Sequence, residues 1–234
     1  MKKLFLIIGI ALMGLGMANA QTADELKAER QQMKAELASK DAVKKAQKIE
    51  KKMETLTPKG GSIGELIQSM VAPFPTALKT NVTAPLANLL GGKESRIVVQ
   101  PAQTGVNSVD GLVNTIVPLL AVAVSTNDIM AEYKTEIVDN GDGEIDITKY
   151  KANAKDYLAI LPLLTQASLD ATKAAEQLKS VQNDVKSLSP TQALPATKSV
   201  NWSVDALDIT TAKLAETTKL LQNLINSLKA TGNL

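Results

Sequence analysis

A regular stripe of apolar and small residues runs through residues 148–188. Its members recur in steps of three and four residues, which is the spacing of one face of an α-helix. They are Tyr150, Ala154, Tyr157, Leu161, Leu164, Ser168, Ala171, Ala175, Leu178 and Val185, and the stripe is widened by Leu158, Leu169, Val181 and Leu188. The pattern predicts a long helix that faces a bundle, kinked at Pro162 and ended by Ser189 and Pro190.

A second period marks the C-terminal segment. Leucine recurs every seven residues, with β-branched residues at the companion positions. The leucines are Leu207, Leu214, Leu221 and Leu228, and the companions are Val204, Thr211, Thr218 and Ile225. We expect Asn201 or Ser203 to cap this helix, Pro195 to lie in the preceding connection, and the leucines to pack within the chain rather than as a coiled-coil dimer.

A charged helix is predicted near the N-terminus. Thr22 and Glu25 have the spacing of a capping box, and the charge-rich sequence continues to Leu56 before Pro58 and a glycine pair. Its apolar seam is narrow, which fits either a helix on the bundle edge or a projecting arm for dimerisation or partner binding.

Residues 58–118 are rich in proline and glycine. They predict a short helix stopped near Phe74, another over residues 76–90, and an extended segment at 96–101. Residues 111–125 are the most apolar part of the chain after its first twenty residues and predict a buried core helix, with Pro118 in its first turns or at a kink. The alternative is a segment that inserts into a membrane or contacts a partner. Its candidate residues are Leu112, Ile116, Leu119 and Leu120.

These segments together predict a mainly α fold. We expect an up-down antiparallel helical bundle with long kinked helices and a Gly/Pro-rich connecting region. One small β-hairpin is compatible with this fold. The three long helices are the N-terminal one, the central stripe and the C-terminal one. Residues 21–57 form the charged helix or arm, and residues 58–234 form a single bundle domain.

The first twenty residues have the pattern of a signal peptide. Lys2 and Lys3 precede an apolar stretch, and Ala18 and Ala20 supply the small residues that a signal peptidase reads. We therefore predict export, to the periplasm or the medium, with cleavage before Gln21.

The amino-acid composition excludes several kinds of catalytic and metal-binding site. The chain has no cysteine and no histidine, which excludes disulfides, thiol nucleophiles and histidine-based metal or triad chemistry. Its net charge of +2 falls to zero once Lys2 and Lys3 are removed, so nothing in the charge favours nucleic acid. We expect no enzyme, no catalytic residue and no cofactor.

One loop bears on metal binding. Acidic, amide and glycine residues in segment 138–149 resemble an EF-hand or dockerin-type calcium loop. The candidate ligands are Asn140, Asp142, Glu144 and Asp146. The loop lacks both end ligands, because its first position is Val138 and its last is Lys149. The same residues fit a hairpin that pairs 135–138 with 144–147 around a turn at Asn140, and a turn without calcium is favoured.

The function predicted from the sequence is binding. We expect an exported, non-enzymatic helical protein, a monomer or a dimer, that binds a protein partner or an apolar ligand through a helical or loop surface. A membrane-active, pore-forming-like protein that uses residues 111–125 is the second hypothesis, and a hydrolase that works with carboxylates alone is the third.

Overall fold

The computed structural model describes residues 21–38, 76–90, 100–140 and 144–234. The predicted signal peptide, the distal part of the charged helix, the short helix before Phe74 and most of the extended segment at 96–101 lie outside these residues. The described helices, in chain order, are α1 (Ala23–Leu37), α2 (Thr76–Leu90), α3 (Asn107–Ile129), α4 (Ala131–Asp139), a 3-10 helix (Ile147–Asn153), α5 (Ala154–Lys186) and α6 (Pro190–Ala230).

Helices α3, α5 and α6 form the centre of the bundle. Each of the three packs against the other two, while α2 lies mainly on α5. Helix α1 packs on α6 and on α4, so the described part of the charged N-terminal helix lies on the bundle. Its capping box is confirmed: the amide of Glu25 donates to the Thr22 hydroxyl at 3.3 Å, and the Glu25 carboxylate accepts from the Thr22 amide at 2.8 Å. The mainly α fold class is confirmed.

Helix α3 is the core helix that its apolar sequence predicts. It extends beyond the predicted segment at both ends and continues through Pro118 in its middle. Its start is organised by Asp110, whose carboxylate accepts hydrogen bonds from the amides of Thr104 (2.8 Å) and Gly105 (3.0 Å). Gly105 has a φ of 75°, a left-handed conformation that glycine adopts without strain.

Helix α6 begins earlier than the sequence predicts. The predicted caps, Asn201 and Ser203, lie well inside a helix of 41 residues that Ser189 precedes. Pro190 occupies the first helical position, where a missing N–H costs nothing. This proline therefore begins α6 and does not belong to a long connection between α5 and α6. Pro195 removes one further hydrogen bond early in the helix without ending it. The four heptad leucines of α6 are at most 2% exposed, which confirms that they pack within the chain.

Helix α5 continues through Pro162, as predicted, but its buried face is rotated from the predicted stripe. Buried positions include Ile160, Leu163 and Ala167, whereas Leu158 and Leu169 are each 38% exposed. Because two residues correspond to about 200° of helix rotation, Leu158 points away from the side on which Ile160 is buried. The prediction that Leu158 and Leu169 widen the core face is therefore wrong.

The β-hairpin alternative is also wrong at its first strand. Residues 135–138 belong to α4, and no strand occurs among the residues that the structure describes. Tyr133 and Ile137 are 1% and 2% exposed and lie four residues apart, so they share one face of a helix. Burying that face requires helical spacing rather than the alternation of a strand. The long helix also starts later than predicted, because residues 147–153 form the 3-10 helix.

Candidate functional site

The predicted membrane or partner segment lies in the core. Leu112, Ile116, Leu119 and Leu120 are between 0% and 2% exposed, on a helix that packs against α5 and α6. By length and composition α3 could cross a membrane, with a mean hydropathy of 1.6, but 61% of the apolar window is buried inside the bundle. The core helix of a soluble protein has the same properties.

Only part of the calcium-loop resemblance lies among the described residues. Asn140 and Glu144 are exposed, and Asp142 lies outside the described residues. Asp146 caps the 3-10 helix, since its Oδ1 accepts from the amide (3.0 Å) and the hydroxyl (2.5 Å) of Thr148. These bonds lower the pKa of the Asp146 carboxyl. In the described part of the chain no three His, Cys, Asp or Glu side chains come together in a way that could hold a metal ion.

Lys149, at the last position of that loop, is held by two carboxylates of α4. Its ammonium group lies 2.9 Å from Glu132 Oε1 and also pairs with Glu136 Oε1. The same Nζ lies 5.0 Å from the centre of the Tyr150 ring. Lys149 therefore ties the 3-10 helix to α4.

All three tyrosines of the chain pack together in the region around Lys149. Tyr133 of α4 and Tyr150 of the 3-10 helix pack edge to face, with ring centres 5.5 Å apart. Tyr150 also contacts Tyr157 of α5 at 6.5 Å. The three rings are each at most 6% exposed. They join three helical elements that follow one another directly in the sequence.

A buried polar network continues from Tyr133 into α6 and α1. The Tyr133 hydroxyl donates to Oδ1 of Asn223, which is fully buried and also accepts from Arg30 Nε at 3.2 Å. Arg30 donates a second bond, from Nη2 to the Ser227 hydroxyl, at 2.6 Å. Asn223 in turn donates to Glu29 at 3.3 Å. We call these five residues the α1 junction.

Burial raises the pKa of all three tyrosines above the ordinary phenol value. For Tyr133 the nearby Arg30 cation opposes this shift without reversing it. A phenol is already protonated near neutral pH at its ordinary pKa, and burial reinforces this state, so these hydroxyls can donate hydrogen bonds. The Tyr150 hydroxyl is buried and has no hydrogen-bond partner among the described residues, and the same holds for Oε2 of Glu136.

Apolar side chains reach the solvent on the outer face of α5. Leu158, Pro162 and Leu169 are exposed, Thr165 is half-buried, and these four residues lie on one side of the helix. The row spans about 16 Å at 1.5 Å per residue. Exposed Lys155 and Lys173 border it, and Lys173 pairs with Asp170 at 2.9 Å. We call Leu158, Pro162, Thr165 and Leu169 the α5 outer patch.

Neither the α5 outer patch nor the α1 junction was predicted from the sequence. The leucines of the patch follow the period of the core stripe closely enough to be assigned to it. The α1 junction joins residues that are 193 positions apart, as Arg30 and Asn223 are, so no local pattern reveals it. The sequence does not single out Asn223 either, because Gln222 and Asn226 are further amides in the same stretch of α6.

Comparison with known proteins adds no assignment. Neither a protein-family model, nor a curated protein, nor a solved structure matches this chain.

Proposed function

We propose that this chain is an exported, non-enzymatic helical protein that binds a protein partner through the α5 outer patch. The observation that supports this proposal is the exposure of Leu158 and Leu169, each 38%, on one face of a helix whose opposite face is packed in the core. We further propose that the long helices run up and down the bundle, which leaves this face of α5 accessible along its length.

A protein partner fits the patch better than an apolar small molecule. A small apolar ligand needs a concave site that surrounds it, whereas the patch is one convex side of a helix. The apolar residues of α3, the segment predicted as an alternative membrane or partner contact, are already packed against α5 and α6. Two leucines about 16 Å apart match the spacing of side-chain contacts along a helix-to-helix or helix-to-surface contact.

Size and charge indicate the kind of contact. A few side chains bury much less than the ~800 Å² per partner of a stable interface, so the patch fits a weak or transient complex unless neighbouring residues contribute. Exposed Lys155 at one end of the patch favours a partner with an acidic residue beside its apolar centre, whereas Asp170 balances the charge of Lys173 at the other end.

Two other functions have less support. Membrane activity would require α3 to leave the core, where Ile116 is 0% exposed. A hydrolase without histidine would need two carboxylates poised in a cleft. Glu132 and Glu136 are neighbours on α4, but both pair with Lys149, and Glu132 is 71% exposed at its side chain.

Site-specific photo-crosslinking in the producing cells tests the proposal. A photoreactive residue at position 158 or 169 should give an adduct of the same mass, and the same residue at exposed Lys198 of α6 should not. Leu169→Ser should abolish the adduct formed from position 158 while leaving the melting temperature nearly unchanged.

Three results would contradict the proposal. They are no adduct from either leucine position, adducts of equal yield from position 198, and release of dye from liposomes by the purified protein. The last result would favour the membrane-active hypothesis.

A further inference from the structure

Helix α1 is attached to the bundle by a few apolar side chains and by several polar groups. Among its 15 residues only Leu26 and Met33 are buried. A helix of this length is marginally stable by itself in water, so α1 depends on its contacts with α4 and α6. Its apolar contacts come from Leu26, Met33 and the partly buried Leu37, whereas α3, α5 and α6 each bury many more residues.

The polar contacts are specific in position. Arg30 reaches Asn223 and Ser227, which are 0% and 2% exposed, and Glu29 accepts from the Asn223 amide. At the N-terminal end of α1, Gln21 accepts from Asn226 at 2.5 Å. At the other end, Glu36 accepts from Lys219 at 2.6 Å. The surface of α4 and α6 is thus complementary to one arginine-bearing helix. We call this surface, with Asn223, Ser227, Asn226 and Lys219, the receptor.

The length of chain that follows α1 allows that helix to reach another receptor. Residues 39–75 connect α1 to α2. Residues 58–75 alone, which follow the predicted charged helix, have enough chain length to span on the order of 60 Å, which exceeds the diameter of a small domain. Covalent connectivity therefore does not restrict α1 to the receptor of its own chain.

We propose that α1 is an exchangeable arm, and that the receptor on α4 and α6 also binds α1 of a second copy of this chain. The arm of the second copy has the same sequence, so it makes the same bonds to Asn223, Ser227 and Lys219. Exchange in both directions closes a two-fold dimer without any new contact. At low concentration the chain's own arm occupies the receptor, because its effective concentration is far higher, and exchange grows as the protein concentration rises. This inference is independent of the α5 outer patch.

Zero-length crosslinking of the full chain tests the exchange. Equal amounts of ¹⁵N-labelled and unlabelled protein are incubated together over a range of concentrations and treated with a carbodiimide, which joins adjacent carboxylates and lysines. Crosslinked peptides are then sorted by mass. Glu36 and Lys219 report on the arm, whereas Lys134 and Glu216, 2.6 Å apart, report on a pair within the bundle.

The expected result is a mixed-isotope Glu36–Lys219 peptide whose fraction rises with concentration, while the Lys134–Glu216 peptide stays single-isotope. Arg30→Ala should lower the total yield of the Glu36–Lys219 peptide and leave the control pair unchanged. Single-isotope Glu36–Lys219 peptides at every concentration would overturn the proposal. So would mixed isotopes in both pairs, because that result shows unspecific association.

Discussion

The bundle centre and the α1 junction are stabilised in different ways. In the centre, Leu120, Leu164 and Leu224 are at most 1% exposed and pack among other apolar side chains. At the junction, the equally buried Asn223 is surrounded by hydrogen-bond partners from two other helices. Apolar packing is not directional, whereas each hydrogen bond requires one donor and one acceptor at the right distance.

This difference determines how each region responds to change. A core made of many apolar contacts loses stability in proportion to the volume removed or the charge inserted. A polar network loses one bond and also leaves the remaining partner buried and unsatisfied. We therefore expect the largest effects from charges in the bundle centre and smaller but residue-specific effects at the junction.

The largest effect is expected from a charge in the core. Leu164→Asp and Leu221→Asp replace leucines that are 0% and 1% exposed with an unpaired carboxylate. Each should destabilise the fold by more than ~4 kcal/mol and so remove most or all of the stability of a domain of this size. Circular dichroism during urea unfolding measures the loss.

The matched control lies on the same helix. Leu158→Asp introduces the same charge on the outer face of α5 and should change the free energy of unfolding by no more than about 0.5 kcal/mol. If Leu158→Asp and Leu164→Asp destabilise the protein equally, the orientation of α5 described above is wrong.

At the junction, Asn223→Ala should have the next largest effect. It removes the acceptor shared by Tyr133 and Arg30, so the buried Tyr133 hydroxyl and the partly buried Arg30 each lose a partner. We expect a loss of about 2–3 kcal/mol in the free energy of unfolding, measured in urea. Asn226→Ala is the control, because among the described residues this half-buried side chain donates to Gln21 only, and losing that bond should cost no more than ~1 kcal/mol. In a double-mutant cycle, Asn223→Ala and Arg30→Ala should be non-additive.

Removing the hydroxyl groups of Tyr133 and Tyr150 should have smaller effects on the free energy of unfolding, and the effects should differ between the two residues. Tyr133→Phe removes the bond to Asn223 and should cost about 1–2 kcal/mol. Tyr150→Phe removes a buried hydroxyl that has no hydrogen-bond partner among the described residues, so it should be neutral or slightly stabilising. Equal losses for both variants would show that the Tyr150 hydroxyl is bonded after all.

The same tyrosines predict an alkaline loss of stability. Burial raises the pKa of Tyr150 and Tyr133 in the folded state, so both are protonated in the folded and unfolded chains below pH ~10. Above that pH the unfolded chain releases phenolic protons that the folded chain retains, and the free energy of unfolding falls as pH rises. Tyr150→Phe should reduce the slope of this fall between pH 10 and 11. An unchanged slope would contradict the raised pKa.

Local features of the fold could be predicted from the sequence. The capping box of α1, the bounds of α2 and the burial of α3 each follow from residues close together in the chain, and the structure confirms them. The heptad leucines of α6 are confirmed as an internal seam. These features depend on spacing and capping, which one sequence displays directly.

The remaining features depend on tertiary contacts. Ser189 and Pro190 are compatible with both the end of one helix and the start of the next, and only the packing of α6 shows that the helix starts there. Leu158 and Leu169 fit the period of α5, but the rotation of that helix is set by its neighbours. The α1 junction joins Arg30 to Ser227 across 197 positions, which no periodicity encodes.

The smallest expected effect concerns calcium. Of the acidic residues in the calcium-loop resemblance, Asp146 is already engaged in hydrogen bonds. Oδ1 of Asp146 accepts two bonds from Thr148, and Lys149, where the loop would need its last carboxylate, is paired with Glu132 and Glu136. A cation would have to break these bonds while lying near the Lys149 ammonium.

We therefore expect millimolar calcium to leave the melting temperature and the helical content unchanged, as differential scanning calorimetry and circular dichroism would show. Magnesium at equal ionic strength is the control for unspecific screening. Stoichiometric binding at micromolar calcium, lost in Asp146→Ala, would contradict this expectation and would make the loop, rather than the α5 outer patch, the first candidate for a binding site.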